Sequence, residues 1–534
     1  METDVLILGS GIAGGTAALQ LADAGVSVTV VTRAPNPEES NTCYAQGGII
    51  YQGDDDSVTL LAEDLIRAGA GHSHRAAVEI LAEEGPDLVE RFLVKRLGVP
   101  FDRTDQGELQ VIREAAHATP RIVHAADTTG KAISDALTSA LQAHPHIQLL
   151  TEHTAVDLLT PAHHARDRSA IYAPLSCVGA YLFNQKTGEV ISCIAKKTIL
   201  ATGGLGQIYL RTTNPVGARG DGLAMAHRAG ARVINCEFVQ FHPTTFHHET
   251  APAFLISEAV RGAGARLVNS NGQTFMEKYA PEWGDLAPRD VVARGIHQEM
   301  IALDVSHVYL DLASSLPAAK IRHEFPNIYA QCLSYGVDIT KEPVPVVPGA
   351  HYFCGGVWVD VWGRTTLEHL YAAGEVACTG LHGANRLGSA SLLEGLVWGD
   401  RAARDILAQL TQQKLCTSAK SYSEPVELLS GHLATDIPPW QNTGSELADP
   451  VLISQDMRSI KYLMWNYVGL VRTSDRLRRA IRELRHLQLE IEEFYHTTQL
   501  TDGLIGLRNA IQVAILVTQA AWANKTSMGC HYRE

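Results

Sequence analysis

The stretch Asp4–Arg33 reads DVLILGSGIAGGTAALQLADAGVSVTVVTR and decides the fold. A short apolar strand runs into a Gly-x-Gly-x-x-Gly turn, which opens an Ala- and Leu-rich helix and then a second, β-branched strand. This is the order of the first βαβ unit of a dinucleotide-binding fold, in which Gly9 permits the tight turn, Gly11 lets backbone approach a pyrophosphate and Gly14 lets the helix pack on the strand. The helix N-terminus offers free N–H groups to the phosphates.

One part of that pattern is missing. The second strand of such a unit normally ends in an Asp or Glu that binds the ribose hydroxyls, whereas here it ends Val31-Thr32-Arg33. The motif therefore predicts a dinucleotide without indicating which one. Two later strands run into glycines in the same way, Thr198–Gly204 and Leu370–Glu375, and give further places where backbone can lie against a nucleotide.

Length, charge and cysteine content exclude several classes of protein. A chain of 534 residues is too long for one core. A net charge of −14 argues against a nucleic-acid partner and against an anionic membrane surface. The nine cysteines are scattered without a CxxC pair, which fits reduced thiols and predicts no metal site. With no signal peptide and no uninterrupted apolar run of membrane-spanning length, we expect a cytoplasmic protein and no membrane partner.

Changes of pattern along the chain predict the domains. From about residue 235 histidines cluster and an Asn271-Gly272 turn predicts a hairpin, until the Pro-rich stretch Glu342–Gly349. Residues 411–450 are polar and read as a linker, and apolar stripes at helical spacing follow. We expect a nucleotide-binding domain from 1–234 and 350–410, an inserted domain at 235–349, the linker at 411–450 and a helical bundle at 451–534.

Several motifs together resemble a known family. The three glycine-rich segments stand in the order of the FAD signatures of two-dinucleotide-binding flavoproteins. The chain also carries Ala45–Gly48, Gln240–Thr244, Pro288–Asp290, His351-Tyr352 and His382–Gly388. The set resembles the succinate dehydrogenase/fumarate reductase flavoprotein family over essentially the whole chain. The resemblance implies an α/β fold with a two-dinucleotide-binding (Rossmann-like) FAD domain, an inserted α+β capping domain and a C-terminal helical domain.

The resemblance also implies which residues hold FAD. They lie in the first turn, at the end of the second strand, in the loop after it, in a later strand, at one helix start and in the third glycine-rich segment. They are Gly9, Ser10, Gly11, Ile12, Ala13, Gly14, Arg33, Asn41, Thr42, Cys43, Tyr44, Ala45, Gln46, Gly47, Gly48, Thr154, Ala155, Asp221, Glu375, Ser391 and Leu392.

Within the family, two positions favour the branch that oxidises L-aspartate to iminosuccinate, with O₂ (giving H₂O₂) or fumarate as the acceptor. Asn41 stands where the dehydrogenases and reductases carry the histidine that attaches FAD, so we expect noncovalent FAD. Glu114 stands where those enzymes have an apolar residue, and a carboxylate there suits an ammonium group. That branch also ends the second strand in a basic residue, which Arg33 matches. It supplies quinolinate synthase in NAD biosynthesis, which implies a functional link to that enzyme.

The segment after Glu114 departs from the family pattern. Ala115 and Ala116 stand where the family has glycines. If that turn requires a positive φ, an alanine there is strained, because its Cβ meets the backbone.

The resemblance implies a substrate site as well. Arg386 would clamp a carboxylate, since guanidinium matches carboxylate bidentately. His242 and His351 would donate hydrogen bonds to the carboxylates, and Ser257 with Glu258 would lie beside the substrate. The last group is the family's proton shuttle, matched by Arg289. The free pKa of an arginine side chain is too high for an ordinary base, so a relay with Glu258 is required.

Other readings of the same residues stay open at this stage. In isolation His242 is explained as a core histidine, Arg289 as a helix-start ion pair, and Arg386 as the partner of Glu394. A fumarate reductase- or succinate dehydrogenase-type flavoprotein is the alternative enzyme. A flavin-binding scaffold with a degenerate amine site is the non-enzymatic alternative, motivated by Ala115 and Ala116.

Overall fold

The protein is described by a computed structural model that covers residues 1–114, 116–251, 253–418, 436–441 and 444–534. The strands are β1 (Glu2–Leu8), β2 (Val28–Val31), β3 (Ile49–Ile50), β4 (Val111–Ile112), β5 (Ile122–Val123), β6 (Ile147–Leu150), β7 (His153–Leu158), β8 (Gly179–Asn184), β9 (Val190–Leu200), β10 (Val233–Ile234), β11 (Val239–Phe246), β12 (Arg266–Val268), β13 (Val308–Asp311), β14 (Val344–Phe353), β15 (Gly356–Trp358), β16 (Leu370–Ala372) and β17 (Ala377–Cys378). The helices are α1 (Ile12–Asp23), α2 (Val58–Ala68), α3 (Arg75–Leu88), α4 (Thr129–Ala143), α5 (Pro161–His164), α6 (Asp221–Arg228), α7 (Glu258–Gly262), α8 (Met276–Tyr279), α9 (Arg289–Leu303), α10 (Ala318–Glu324), α11 (Pro326–Ser334), α12 (Ala390–Ser418), α13 (Pro450–Tyr467), α14 (Ser474–Thr497) and α15 (Asp502–Ala523).

A mixed sheet with the order β6-β2-β1-β9-β8-β7 carries the nucleotide-binding part, and β16 adds to β9. β1 pairs in parallel with β2 and β9, and β16 is parallel to β9. The apolar run Val5–Leu8 is buried on both faces, as expected of a central parallel strand. The sequence predicts a hairpin of Val178–Phe183 and Glu189–Ala195 around residues 184–188. β8 and β9 confirm it, with Gly188 at φ +73° in the turn. All three glycine-rich strand ends therefore meet at one edge of the sheet.

Two helices pack against each other beside this edge. A Cβ on Gly399 of α12 would lie only 2.5 Å from the carbonyl oxygen of Ala13 in α1, so a larger residue would force these helices apart. A Cβ on Gly14 would lie 2.0 Å from the carbonyl oxygen of Gly9, so the turn closes on itself at this glycine. The close packing holds the N-termini of α1 and α12 near each other.

The inserted segment has its own sheet and core. Its strands follow the antiparallel order β11-β14-β13-β12, and its buried side chains include Phe246, Val292 and Leu310. The sequence also predicts a helix over Arg289–Leu303 in this segment, and α9 has those bounds. β14 runs past the predicted boundary at residue 349, and the domain boundaries themselves stay predictions. Asp127, from the nucleotide-binding part, accepts the backbone N–H groups of Asn327 and Ile328 at the start of α11, at 3.0 and 3.2 Å.

Two expectations about helix ends were wrong. Gly85-Pro86 predicts a break between helices. In the structure this dipeptide lies inside α3, where Gly85 packs against Leu393, and a π-helical stretch, Val89–Arg96, follows directly. α12 continues to Ser418, eight residues into the predicted linker, because residues 411–418 contain no glycine or proline to end a helix. Within that linker, residues 419–435 and 442–443 lie outside the described part of the chain.

The C-terminal segment forms helices α13, α14 and α15. By length and composition α15 passes as a candidate membrane span, despite the charged Arg508 within it. However, 72% of its apolar window is buried inside the protein, as for a core helix. Its residues Leu507, Ile511 and Val517 join the same hydrophobic core as Leu6 and Leu8 of β1. The helical segment is thereby packed directly on the nucleotide-binding part.

Candidate active site

One long pocket runs from the first βα turn to the inner face of the inserted domain. At one end Gly9 has φ +115°, and a Cβ there would lie 2.1 Å from the carbonyl oxygen of Ala201. The other end is lined by residues of the inserted domain and of the loop before α12. The residues predicted to hold FAD that line this pocket are Gly9, Ser10, Gly11, Ile12, Ala13, Arg33, Asn41, Thr42, Tyr44, Ala45, Gln46, Gly47, Gly48, Thr154, Ala155, Asp221, Glu375, Ser391 and Leu392.

Two of the predicted FAD residues, Gly14 and Cys43, are not among the lining residues. Gly14 supports the turn from behind, through its contact with Gly9. The backbone N–H of Cys43 donates to the carbonyl of Ser40, and partial burial raises the pKa of its thiol. Both residues therefore shape the loop that others present to the pocket.

At the end of the pocket beside the first βα turn, Arg33 and Asp221 line the wall. They contact two further charged side chains, Asp502 and Arg219. Arg33 Nη1 donates to Asp502 at 3.1 Å. Arg219 donates to both oxygens of Asp502, at 3.0 and 3.1 Å, and to Asp221 at 2.9 Å. The Thr154 hydroxyl donates to Asp502 at 2.7 Å. An acid from the last helix is thus present near the end of the second strand, where it pairs with Arg33 and does not itself line the pocket.

In the middle of the pocket Asn41 Nδ2 donates to Glu375 at 2.6 Å. The backbone N–H of Phe353 donates to the other oxygen of Glu375 at 3.0 Å. Burial raises the pKa of this carboxyl to about 7, partly opposed by these two hydrogen bonds and by Arg386. A Cβ on Gly204 would lie 2.2 Å from Glu375, so the glycine makes room for the carboxyl.

The pocket fits FAD by its shape and by its unused polar atoms. Glycine backbone lines it at the first turn, at Gly47-Gly48, at Gly203 and at Gly374. Several buried side-chain atoms of pocket residues have no partner among the described residues, including Gln46 Oε1, Thr202 Oγ1 and His242 Nε2. Buried polar groups of this kind are normally hydrogen-bonded, so they indicate ligand-facing positions.

Arg289 and Glu258 form a close ion pair at the mouth of the inserted domain. Arg289 Nε donates to Glu258 Oε2 at 2.6 Å, and its Nη1 donates to Gln240 at 3.2 Å. Arg261 lies 3.5 Å from the second oxygen of Glu258. Burial alone would raise the pKa of Glu258, but Arg289 and Arg261 outweigh it and lower that pKa. The carboxylate is therefore held ionised beside the pocket.

Arg386 lies opposite, held on three sides. Its Nη2 donates to His351 Nε2 at 2.8 Å, its Nη1 donates to the Ser391 hydroxyl, and its guanidinium stacks over the Tyr352 ring at 4.5 Å. Burial and the nearby Arg289 lower the pKa of Arg386 to about 10. His351 is thereby a partner of Arg386 as well as a pocket residue.

The two predicted histidines differ in their hydrogen bonds: among the described residues, His242 leaves one ring nitrogen without a partner and His351 leaves none. The backbone N–H of Thr244 donates to His242 Nδ1 at 3.2 Å, so in its neutral form His242 carries its proton on Nε2. His242 Nε2 is buried and has no partner in the described chain. Burial and the neighbouring Arg289 hold the pKa of His242 well below its usual value, so it is a neutral donor. His351 uses both of its nitrogens, on Arg386 and on the Thr213 hydroxyl.

Glu114 reaches the same space from the FAD loop side. Its Oε2 accepts the Ser389 hydroxyl at 2.6 Å, and its Oε1 accepts the N–H of Gly48 at 3.4 Å. A Cβ on Gly388 would lie 3.1 Å from Glu114 Oε2 and 3.2 Å from Arg289 Nη2. The carboxylate and the guanidinium thus flank one small gap that only a glycine leaves open.

Residues 113–117 include the segment that departs from the family pattern. Ala116 has φ +65°, so the expectation that this turn uses a positive φ is confirmed for that residue. Ala115 lies outside the described residues. Glu114 nevertheless lines the pocket.

Gln240, Tyr352 and Ser389 position the substrate-binding side chains and were absent from the predicted site residues. Gln240 bridges Arg289 and Arg386 by accepting from both, at 3.2 and 3.4 Å. It stands two residues before His242 on β11, and that spacing places both on one face of a strand. Tyr352 stacks on Arg386 and follows His351 directly. Ser389 has no local signal, because its role depends on a left-handed backbone with φ +59°.

Comparisons with known proteins agree with this arrangement. A family model described as "FAD binding domain" matches residues 4–392, and one described as "Fumarate reductase flavoprotein C-term" matches residues 457–534. L-aspartate oxidase 1 of Ralstonia nicotianae is 44% identical over 100% of this chain and 95% of its own length. L-aspartate oxidase of Yersinia pestis is 43% identical over 99% of this chain and 95% of its own length.

Solved structures give the same relationship. An E. coli quinol fumarate reductase chain superposes with a TM-score of 0.85 at 28% identity, covering 100% of this chain and 91% of that one. A chain of Mycobacterium smegmatis Sdh1 superposes with a TM-score of 0.78 at 29% identity, covering 100% and 89%. The α/β FAD-binding fold with a helical C-terminal part is thus confirmed. The chain belongs to the succinate dehydrogenase/fumarate reductase family of FAD-binding flavoproteins and, within it, to the L-aspartate oxidases.

Proposed function

We propose that this chain oxidises L-aspartate to iminosuccinate with noncovalently bound FAD. The observation that carries the proposal is the gap at Gly388, which has the Glu114 carboxylate on one side and the Arg289 guanidinium on the other. A plain dicarboxylate gains nothing from Glu114, whereas the α-ammonium group of an amino diacid does.

The side chains divide the substrate between them. Arg386 binds one carboxylate, because His351, Ser391 and Tyr352 already fix the direction of its guanidinium. His242 donates its free Nε2–H to a carboxylate oxygen. Glu114 binds the ammonium group. Together these contacts orient the Cα–H bond of the substrate and exclude water from it.

Oxidation removes a hydride equivalent from Cα and a proton from the substrate. Bound FAD supplies the acceptor for the hydride equivalent. Arg289 moves the proton by a relay, because a guanidinium that donates to a buried carboxylate at 2.6 Å can pass a proton to it and be reprotonated. Glu258 and, behind it, Arg261 hold the charge of this relay. Ser257 caps α7, so it fixes the backbone from which Glu258 projects.

Noncovalent binding follows from the chemistry of Asn41. An amide offers no nucleophilic ring nitrogen for attachment, and its Nδ2 is engaged with Glu375. FAD would be held by the glycine-lined turn, by Gln46 and by the other lining residues named above.

The proposal also covers the electron acceptor, the enzyme that uses the product and the cellular compartment. The electron acceptor is O₂, which gives H₂O₂, or fumarate. The product iminosuccinate supplies quinolinate synthase in NAD biosynthesis, and the protein works in the cytoplasm. These statements rest on membership of the family, together with the dicarboxylate-binding cluster that suits fumarate as well as aspartate.

One experiment tests the reaction and the attachment together. The purified yellow protein is precipitated with acid, and the colour is expected in the supernatant; colour that stays in the pellet contradicts noncovalent binding. A second sample is mixed anaerobically with L-aspartate or with succinate. Bleaching of the flavin absorbance by L-aspartate and not by succinate is expected. Bleaching by succinate alone would replace the proposal with a succinate dehydrogenase-type activity, and bleaching by neither would leave a scaffold.

A further inference from the structure

The contact between the pocket and the C-terminal helical segment centres on one carboxylate. Asp502 is the first residue of α15, yet it accepts hydrogen bonds from Arg33 at the end of β2, from Arg219 before α6 and from Thr154 in β7. We call Arg33, Arg219, Asp221 and Asp502 the charge row. No other residue of α15 reaches β2 through a charged hydrogen bond in the described structure.

In the charge row, two positive and two negative side chains alternate. Arg219 lies between Asp221 and Asp502, and Arg33 adds to the far side of Asp502. The side chain of Arg219 is only 8% exposed and that of Asp502 24% exposed, so solvent screens them weakly. Burial alone would raise the pKa of Asp502, but Arg219 and Arg33 outweigh it and lower that pKa.

Two partners of Asp502 face the cofactor pocket. Arg33 and Thr154 both line it, and Asp221, the other acid of the charge row, lines it too. Without Asp502, Arg33 would lose its only ion pair in the described structure, and it would lie close to a second buried guanidinium. A lining arginine with no counter-charge would turn toward solvent, because a long cationic side chain gains hydration there.

We propose that Asp502 is a cofactor-positioning residue: the C-terminal helical segment supplies the carboxylate that the first βαβ unit lacks, and through it fixes Arg33 and Thr154 against the adenosine part of FAD. The inference rests on the proposed assignment of Arg33 and Thr154 to the cofactor site and not on the identity of the substrate. Because coupling between two equilibria is reciprocal, FAD binding also tightens the docking of α15.

The first test measures FAD affinity. FAD is removed from the purified protein and titrated back while flavin fluorescence is followed. Asp502→Asn is expected to raise the Kd of FAD at least about tenfold, a loss of about 1.4 kcal/mol. The matched control is Glu492→Gln, which breaks the 3.2 Å pair with Arg508 in the same helical segment, away from the lining residues. A Kd within twofold of the wild type for Asp502→Asn, or an equal loss in the control, overturns the inference.

A merely structural role is separated by two further readouts. The thermal midpoint of the FAD-stripped protein is expected to fall for Asp502→Asn, because the buried Arg219 loses a counter-charge. The rise in midpoint on adding a fixed concentration of FAD is expected to be smaller for Asp502→Asn than for Glu492→Gln. At saturating FAD, the KM for L-aspartate of Asp502→Asn is expected to equal that of the wild type. A fall in the stripped protein's midpoint without a change in Kd makes Asp502 a structural residue only. If the wild-type protein does not oxidise L-aspartate, the proposed function is overturned. The FAD titration still tests the role of Asp502 in that case.

The second test needs no variant. Amide hydrogen exchange is measured on the wild-type protein with and without FAD. The first turn of α15, residues 502–505, is expected to exchange more slowly with FAD bound. Helix α10 of the inserted domain, none of whose residues lines the pocket, is expected to exchange at an unchanged rate. Unchanged exchange in the first turn of α15 contradicts the coupling.

Discussion

Arg289 Nε and Glu258 Oε2 lie 2.6 Å apart, on two helices of the inserted domain. Arg289 is the first residue of α9 and Glu258 the first of α7. Each helix therefore aims its first side chain at the same point. The pair places a guanidinium in contact with an ionised carboxylate beside the gap at Gly388.

Replacing Arg289 tests this pair. Arg289→Leu is expected to retain FAD, because Arg289 faces the substrate end of the pocket, and to lower the rate of flavin bleaching by L-aspartate at least about 100-fold, as loss of a proton-transfer group does. The matched control is Arg294→Leu on the same helix, whose partner Asp290 lies one turn away. Near-normal turnover in Arg289→Leu would remove this residue from the mechanism. The measurement is stopped-flow absorbance under anaerobic conditions.

Glu114→Gln is expected to raise the KM for L-aspartate at least about tenfold, because the neutral amide loses the attraction for the ammonium group. Fumarate reduction is expected to change less, since fumarate carries no ammonium group. Glu108→Gln, an exposed carboxylate in the preceding loop, serves as the control. An equal loss on both substrates would show that Glu114 does not select the amine.

Ser389 gives a finer prediction about the same carboxylate. Its hydroxyl donates to Glu114 at 2.6 Å from a backbone with φ +59°. Ser389→Ala and Ser389→Gly both remove the hydroxyl, but only glycine suits that φ without strain. A several-fold rise in the KM for L-aspartate in both variants is expected. A rise in the alanine variant alone would assign the effect to the backbone, and no rise in either would leave Glu114 positioned without Ser389.

Glu375 predicts a pH dependence of stability in the FAD-stripped protein. Burial raises its folded pKa from 4.5 to about 7, so between those values the folded state binds more protons than the unfolded state. Stability is therefore present below pH 4.5 and is lost as the pH rises toward 7. Glu375→Gln abolishes this loss and is expected to be more stable than the wild type above pH 7, by about 3 kcal/mol. Urea unfolding at pH 5 and pH 8 measures it; equal differences at the two pH values would refute the assignment.

Ala116 predicts a stabilising glycine. At φ +65° the Cβ of an alanine strains the backbone, so Ala116→Gly is expected to stabilise the protein by about 1 kcal/mol. The same exchange inside a helix has the opposite sign, and Ala62→Gly in α2 is expected to cost about 1 kcal/mol. Chemical denaturation of both variants gives the comparison, and a destabilised Ala116→Gly would show that the turn is not strained.

The sequence predicted well whatever depends on local pattern. The bounds Arg289–Leu303, the β8–β9 hairpin and the strands that end in glycines follow from periodicity and turn residues within about 15 positions. The resemblance brought together His242, Arg289 and Arg386, which periodicity cannot, because they come from different elements. The helix through Gly85-Pro86 was missed because tertiary packing on Leu393 outweighs local propensity.

Long-range electrostatics escaped prediction for a different reason. Nothing near Arg33 indicates that its counter-charge stands at Asp502, since neither residue has a pattern that points to the other. Likewise, the role of Ser389 depends on its backbone dihedral, and serine is not a residue type that signals a positive φ. Such features become visible only when three-dimensional neighbours are known.

The pocket draws on Gly9 near the N-terminus and on Glu375 and Ser391 much further along the chain. Asp502, close to the C-terminus, supports the pocket residue Arg33. A ribosome that adds about 5–20 residues per second needs roughly 20–80 s to pass from the first glycine turn to the helix that starts at Ala390. The nascent N-terminal βαβ unit therefore emerges with only part of its nucleotide site. Cofactor loading consequently belongs to the end of biosynthesis, when the last helix has joined the first strand.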